Sequence, residues 1–102
     1  MTTANKQFAL AADIGGTNIR AALVDSEGRI TGRGSINTEP KRGIEDASNR
    51  LARLLNAAKA TAPVNTTIVG VGVSTAGPIR PDTGTYNNPP NLPGWHDQTM
   101  KP

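Results

Sequence analysis

Two apolar runs, FALAA (8–12) and IRAALVD (19–25), lie close together near the start of the chain. Residues 7–14, 18–25 and 29–37 are interpreted as three consecutive strands. A glycine pair joins the first two stretches, and SEGR joins the second to the third, where Gly28 tolerates the positive φ of a tight turn. The pattern predicts three strands joined by two hairpin turns.

The apolar period changes to that of a helix in GIEDASNRLARLLNAAKATA, residues 43–62. Glu45 and Asp46 fall in its first turn, where the helix dipole favours acidic side chains, and Pro63 ends it. The apolar residues recur at helical spacing and form one stripe: Ile44, Ala47, Leu51, Leu54, Leu55 and Ala58. We predict an amphipathic helix that packs on one face of the sheet.

The next apolar stretch, TIVGVGVSTAG (67–77), predicts a short buried strand. A helix between two strands makes a crossover, so this strand should run parallel to one of the first three. We interpret the glycines of GVGVSTAG as sites of close backbone packing, since GPIRP cannot open the helix of a dinucleotide fingerprint. After Gly77 the chain is rich in proline, which leaves only edge strand or extended loop. The predicted class is α/β, with a mixed sheet of about five strands and one crossover helix.

Composition narrows the class of protein. The 102 residues suffice for one small domain, and because Phe8, Tyr86 and Trp95 are the only aromatic residues, aliphatic side chains must fill most of its core. The net charge of +3 comes from scattered lysines and arginines, which does not favour a nucleic-acid interface. The chain has no cysteine, no apolar run of membrane-spanning length and no signal peptide in MTTANKQ. We expect a cytoplasmic protein with no membrane partner.

The hairpin tip DIGGTN has the chemistry of a phosphate site. Gly15 and Gly16 lack the Cβ that would hold an anion away from the backbone, and Thr17 and Asn18 add short polar side chains. Asp13 would repel phosphate unless a cation lay between them, and Mg²⁺ commonly bridges a carboxylate and substrate phosphates. The alternative is an ordinary turn. The order of these residues after an apolar strand favours a phosphate clamp, and the P-loop motif is absent.

Two segments resemble the ROK family of repressors, open reading frames and sugar kinases. LAADIGGTNIRAALVD is similar to the family's first phosphate motif, and VGVSTAGPIRPDTGTYNNPPNLPGWHD is similar to the next segment, which carries part of the sugar pocket. The resemblance implies the ribonuclease H-like, actin-type ATPase fold. It also implies ATP-dependent phosphorylation of a hexose such as glucose, N-acetylglucosamine or N-acetylmannosamine.

The resemblance also assigns roles by position. The residues that would contact ATP phosphates and Mg²⁺ are Asp13, Gly15, Gly16, Thr17 and Asn18. Gly77 would let the backbone approach the sugar, and Asn91 would hydrogen-bond its hydroxyls, unless that amide merely fixes its loop. Trp95 is expected to anchor the same loop by packing, and His96 receives no role.

The catalytic base of the family, an aspartate in an NDAN-like motif, would lie beyond Pro102. We therefore expect residues 1–102 to be the N-terminal domain of a longer hexose kinase without its C-terminal domain. Alone it should be inactive and should self-associate through exposed apolar surface. Two alternatives stay open. One is a sugar- or phosphate-binding module without catalysis. The other is a ROK-type sugar-responsive regulator lacking its DNA-binding domain, because such a domain would precede the phosphate motif and the twelve residues before Asp13 leave no room for it.

Overall fold

A computed structural model describes residues 6–100 of the chain. Its main sheet has four strands: β1 (Lys6–Ile14), β2 (Asn18–Asp25), β3 (Ile30–Asn37) and β4 (Thr66–Thr75). The spatial order is β3-β2-β1-β4, with antiparallel pairing from β1 to β3 and β4 parallel to β1. The three-strand meander and the parallel fourth strand predicted from the sequence are confirmed.

Helix α1 (Ile44–Lys59) provides the crossover between β3 and β4. The apolar stripe predicted for it lies on the sheet, with five buried residues: Ile44, Ala47, Leu51, Leu55 and Ala58. Leu54 is half-buried beside β3, where a Cβ added to Gly34 would lie 2.6 Å from Leu54 Cδ1. The helix therefore sits close to the sheet because Gly34 has no side chain.

The three aromatic residues are all buried. Tyr86 and Trp95 pack edge to face with their ring centroids 5.4 Å apart, and the Tyr86 hydroxyl lies 2.7 Å from Thr75 Oγ1. Burial raises the pKa of Tyr86. Trp95 Nε1 donates a 3.1 Å hydrogen bond to the Pro40 carbonyl, just before α1. The aromatic residues thus tie the proline-rich segment to β4 and to the start of the helix, as predicted for Trp95.

The proline-rich segment forms one small hairpin followed by turns. Among residues 6–100, strands β5 (Ile79–Arg80) and β6 (Thr85–Tyr86) pair only with each other, so the main sheet has four strands there rather than about five. Proline has no amide hydrogen to donate, and the five prolines of residues 78–93 make this segment unsuited to extending the ladder.

The prediction that the fourth apolar stretch is a buried strand is wrong. Strand β4 is an edge of the sheet, and Val69, Val71 and Val73 are 59%, 45% and 48% exposed. Within residues 6–100, α1 packs across β1, β2 and β3 and does not reach β4. A Cβ added to Gly70 or Gly72 would meet none of the described residues within 4 Å, so these glycines do not serve close packing there either. No helix in the described part of the chain is long and apolar enough to cross a membrane.

Candidate functional site

The hairpin between β1 and β2 has a tip made of Gly15, Gly16 and Thr17. The Gly15 amide donates a 2.8 Å hydrogen bond to the Asn18 carbonyl, which closes the turn. A Cβ added to Gly15 would lie 3.1 Å from that carbonyl oxygen, a very tight contact. The four residues proposed to hold phosphate are therefore consecutive in one tight turn whose backbone geometry favours glycine.

Asp13 lies one residue before the end of β1, on the sheet face opposite α1. Its side chain is exposed, and its register partners are Arg20 on β2 and Ser74 on β4. Asp13 and Arg20 also line an open groove of about 460 Å³, together with Arg33 and Ser35. The carboxylate thus stands among positively charged side chains, beside the hairpin tip, where it is accessible to a ligand.

The segment after β4 begins beside the same hairpin. The Ala76 amide donates a 2.7 Å hydrogen bond to the Ile14 carbonyl, directly before Gly15. This bond extends the β1–β4 pairing by one residue and leaves the next residue, Gly77, exposed. Gly77 is therefore connected to the hairpin tip through its neighbour, at the end of the sheet where β1 and β4 both finish.

Asn91 is placed against the hairpin tip by the residues around it. Leu92 and Trp95 are fully buried and anchor the loop that contains Asn91, while Asn91 itself is exposed. A Cβ added to Gly16 would lie 2.6 Å from Asn91 Cβ and 2.8 Å from the Asn91 carbonyl oxygen. The turn Gly15–Asn18, the candidate phosphate loop, therefore touches the loop around Asn91, the candidate sugar loop. Residue 16 must be glycine for the two backbones to come this close.

One residue of this region was not singled out by the sequence. Thr38, directly after β3, is fully buried and hydrogen-bonds to two carbonyl groups of the hairpin tip, those of Gly15 and Thr17. Threonine in the stretch NTEP carries no local signal of such a role, because both contacts are made by the distant β1–β2 turn. Only the register of β3 on β2 brings them together.

The residues around Asp13 offer Mg²⁺ few protein ligands. Within residues 6–100, no three His, Cys, Asp or Glu side chains form a group that could hold a metal ion. A protein cage for a metal is therefore not built from these residues alone. Magnesium, however, usually keeps several waters and takes one or two carboxylates together with substrate phosphates. The single exposed carboxylate of Asp13, beside a glycine turn, fits that mode of binding.

The chain is similar to a known family and to solved structures. The model of the ROK family matches residues 9–101. A ROK family glucokinase from Streptomyces griseus, solved in complex with glucose and AMPPNP, superposes with a TM-score of 0.76 at 28% identity. A protein from Cytophaga hutchinsonii, proposed to be a sugar kinase, superposes with a TM-score of 0.62 at 22% identity. Each comparison covers 92% of this chain, which spans only 28% and 29% of those two structures.

The fold is thus that of the ribonuclease H-like, actin-type ATPases, with a mixed sheet and a crossover helix. Within that class, the chain belongs to the ROK family, whose model matches more than nine-tenths of its length. The resemblance drawn from the DIGGTN and NLPGW segments is confirmed. The roles of the individual site residues stay predictions.

Proposed function

We propose that this chain is the N-terminal domain of an ATP-dependent hexose kinase of the glucokinase type, and that it contacts both the ATP phosphates and the sugar. The contact between Gly16 and Asn91 carries the proposal, because it joins the two candidate loops into one continuous site. Family membership and the likeness to a glucokinase bound to glucose and AMPPNP support it. Phosphoryl transfer requires the nucleotide and the accepting hydroxyl to be held side by side.

The proposed mechanism gives each part of the site a separate task. The turn from Gly15 to Asn18 brings backbone amides and short polar side chains to the phosphates, and Asp13 would hold Mg²⁺ beside them. The metal, when bound, neutralises charge on the transferring phosphate. Asn91 would hold a sugar hydroxyl through its amide, which can both donate and accept. The base that takes the hydroxyl proton would come from sequence beyond this chain.

The proposal is tested by comparing this chain with the complete kinase, meaning a protein in which this domain is followed by a second domain. We expect the complete kinase to transfer phosphate from ATP to glucose or a related hexose, and the 102-residue chain alone to transfer none. The reason is that this reaction requires positioned substrates and a carboxylate base. In the proposal, this domain alone supplies no such base and has no second domain to enclose the substrates.

A coupled assay for ADP and mass spectrometry of the sugar phosphate would measure this activity. Hexose phosphorylation by the purified chain, abolished by Asp13→Asn, would contradict the assignment as one domain of a larger enzyme. A complete protein that binds sugar but phosphorylates none would instead favour a binding module or a sugar-responsive regulator.

Asn91→Ala is expected to act through the sugar. Loss of a hydrogen bond to a hydroxyl costs roughly 1–3 kcal/mol when its partner is left unpaired, so the hexose KM should rise about fivefold to 150-fold. The KM for ATP should stay within about twofold of the parent value. Steady-state kinetics with each substrate varied in turn would separate the two effects.

The matched control is Asn56→Ala, which removes an exposed amide from α1. It should leave both KM values unchanged. Hexose kinetics of Asn91→Ala indistinguishable from this control would show that Asn91 only shapes its loop.

A further inference from the structure

Thr38 is unusual among the polar residues of this domain. It follows β3 directly, and within residues 6–100 it is the one polar or charged residue classed as buried. A buried hydroxyl must be hydrogen-bonded to offset the loss of contact with water. The hydroxyl of Thr38 meets this requirement by reaching the tip of a different hairpin.

Thr38 hydrogen-bonds to the β1–β2 tip twice. Its Oγ1 donates to the Gly15 carbonyl at 2.6 Å, and its backbone amide donates to the Thr17 carbonyl at 2.8 Å. In a planar trans peptide the carbonyl and the next amide point in opposite directions. Holding these two carbonyls toward Thr38 therefore turns the amides of Gly16 and Asn18 away from it.

Arg50 fixes Thr38 in turn. Its guanidinium donates to the Asn37 carbonyl at 2.6 Å and to the Thr38 carbonyl, while its Nε donates to Asp46 Oδ2 at 2.8 Å. The Arg50 side chain is only 13% exposed, so these bonds are partly shielded from water. The hydrogen bond from Arg50 also lowers the pKa of Asp46. Arg50 on α1 is thus hydrogen-bonded to the end of β3 and to Thr38, and Thr38 is hydrogen-bonded to the hairpin tip.

We propose that Thr38 is a positioning residue that aims the backbone amides of the β1–β2 tip at the phosphates of the nucleotide. This inference rests on the proposed function and adds a residue to it. In this proposal Thr38 acts through the carbonyls of Gly15 and Thr17 and not by contact with a substrate. It acts by restricting the orientation of the peptide groups that would bind phosphate, so that little conformational freedom is lost when the nucleotide arrives.

The experiment uses Thr38→Val, which replaces the hydroxyl by a methyl group of similar size, and Thr38→Ser, which keeps the hydroxyl. In the complete kinase, Thr38→Val should lower kcat/KM for ATP about tenfold, while the hexose KM stays within about twofold. Thr38→Ser should keep most of the parent value. In hydrogen–deuterium exchange, a peptide covering residues 15–18 should exchange faster in Thr38→Val than in Thr38→Ser.

Thr31→Val, an exposed substitution on β3, the strand that Thr38 follows, is the control and should change neither measurement. Equal losses in the valine and serine variants, or a rise in hexose KM that matches the loss toward ATP, would overturn the proposal, because both would indicate a general packing role. Unchanged exchange at the tip would also overturn it. Faster exchange in Thr38→Val, in a protein that phosphorylates no hexose, would uphold the link from Thr38 to the tip and refute the kinase assignment instead.

Discussion

Replacing Asp13 with asparagine is expected to lower kcat of the complete kinase about a hundredfold to a thousandfold, with a far smaller change in the hexose KM. The substitution keeps the size of the side chain and removes its charge, and this exposed carboxylate is the group proposed to hold Mg²⁺. A bound metal ion contributes several kcal/mol of charge stabilisation at the transition state. A change of about 1.4 kcal/mol in the activation free energy changes the rate tenfold. The loss should therefore fall on the chemical step rather than on sugar binding.

Steady-state kinetics at saturating hexose, repeated over a range of Mg²⁺ concentrations, would measure this loss. Partial recovery at high Mg²⁺ is expected, since asparagine keeps one oxygen that can act as a ligand. The control is Asp82→Asn, because Asp82 lies in the β5–β6 turn and its Oδ1 accepts a hydrogen bond from the Thr83 amide that asparagine can also accept. Near-normal kcat in Asp13→Asn would remove Asp13 from the mechanism.

The core of the fold could be predicted from the sequence because its signals are local. Apolar runs and the turn residues between them indicate β1 to β3, helical spacing indicates α1, and the crossover rule makes β4 parallel to an earlier strand. The burial of β4 was predicted wrongly for a related reason. A run of valines resembles a buried strand whether or not anything covers it, and the extent of α1 across the sheet is a tertiary property.

The candidate site was predicted in part, for the same physical reason. Asp13 and the Gly15–Asn18 turn lie within six consecutive residues, so the sequence alone predicts them as one phosphate and Mg²⁺ site. The contact of Gly16 with Asn91 joins residues 75 positions apart, and the bonds of Thr38 depend on β3 pairing with β2. No local pattern encodes either contact. Glycine was expected at position 16 to admit phosphate, and the structure adds that it also admits a neighbouring loop.

The exposed edge strand β4 is the surface through which we expect the chain alone to self-associate. Val69, Val71 and Val73 lie on β4, a ten-residue strand that contains no charged residue. Native proteins usually protect such edges with charge, proline or a covering element. Self-association of the chain alone stays a prediction, and β4 is the surface on which we expect it to occur.

Replacing Gly16 with alanine is expected to impair both substrates at once. The added Cβ would lie 2.6 Å from Asn91 Cβ and 2.8 Å from the Asn91 carbonyl oxygen, and a backbone oxygen cannot move without its loop. Forcing an extra carbon into a packed contact costs about 1–3 kcal/mol. Because the strain separates the phosphate loop from the sugar loop, kcat/KM for ATP and for hexose should each fall about fivefold to 150-fold. The joint loss distinguishes this variant from Asp13→Asn and Asn91→Ala.

Gly72→Ala provides the matched control, since a Cβ at that position meets nothing within 4 Å in the part of the chain that the structure describes. It should leave the kinetics unchanged. Combining Gly16→Ala with Asn91→Ala should lower kcat/KM by less than the product of the two single effects, because residues in contact are not additive. Thermal unfolding of each variant would show whether the loss is one of stability instead. Full additivity of the two substitutions, or a Gly16→Ala variant impaired toward ATP alone, would contradict a site in which the two loops act together.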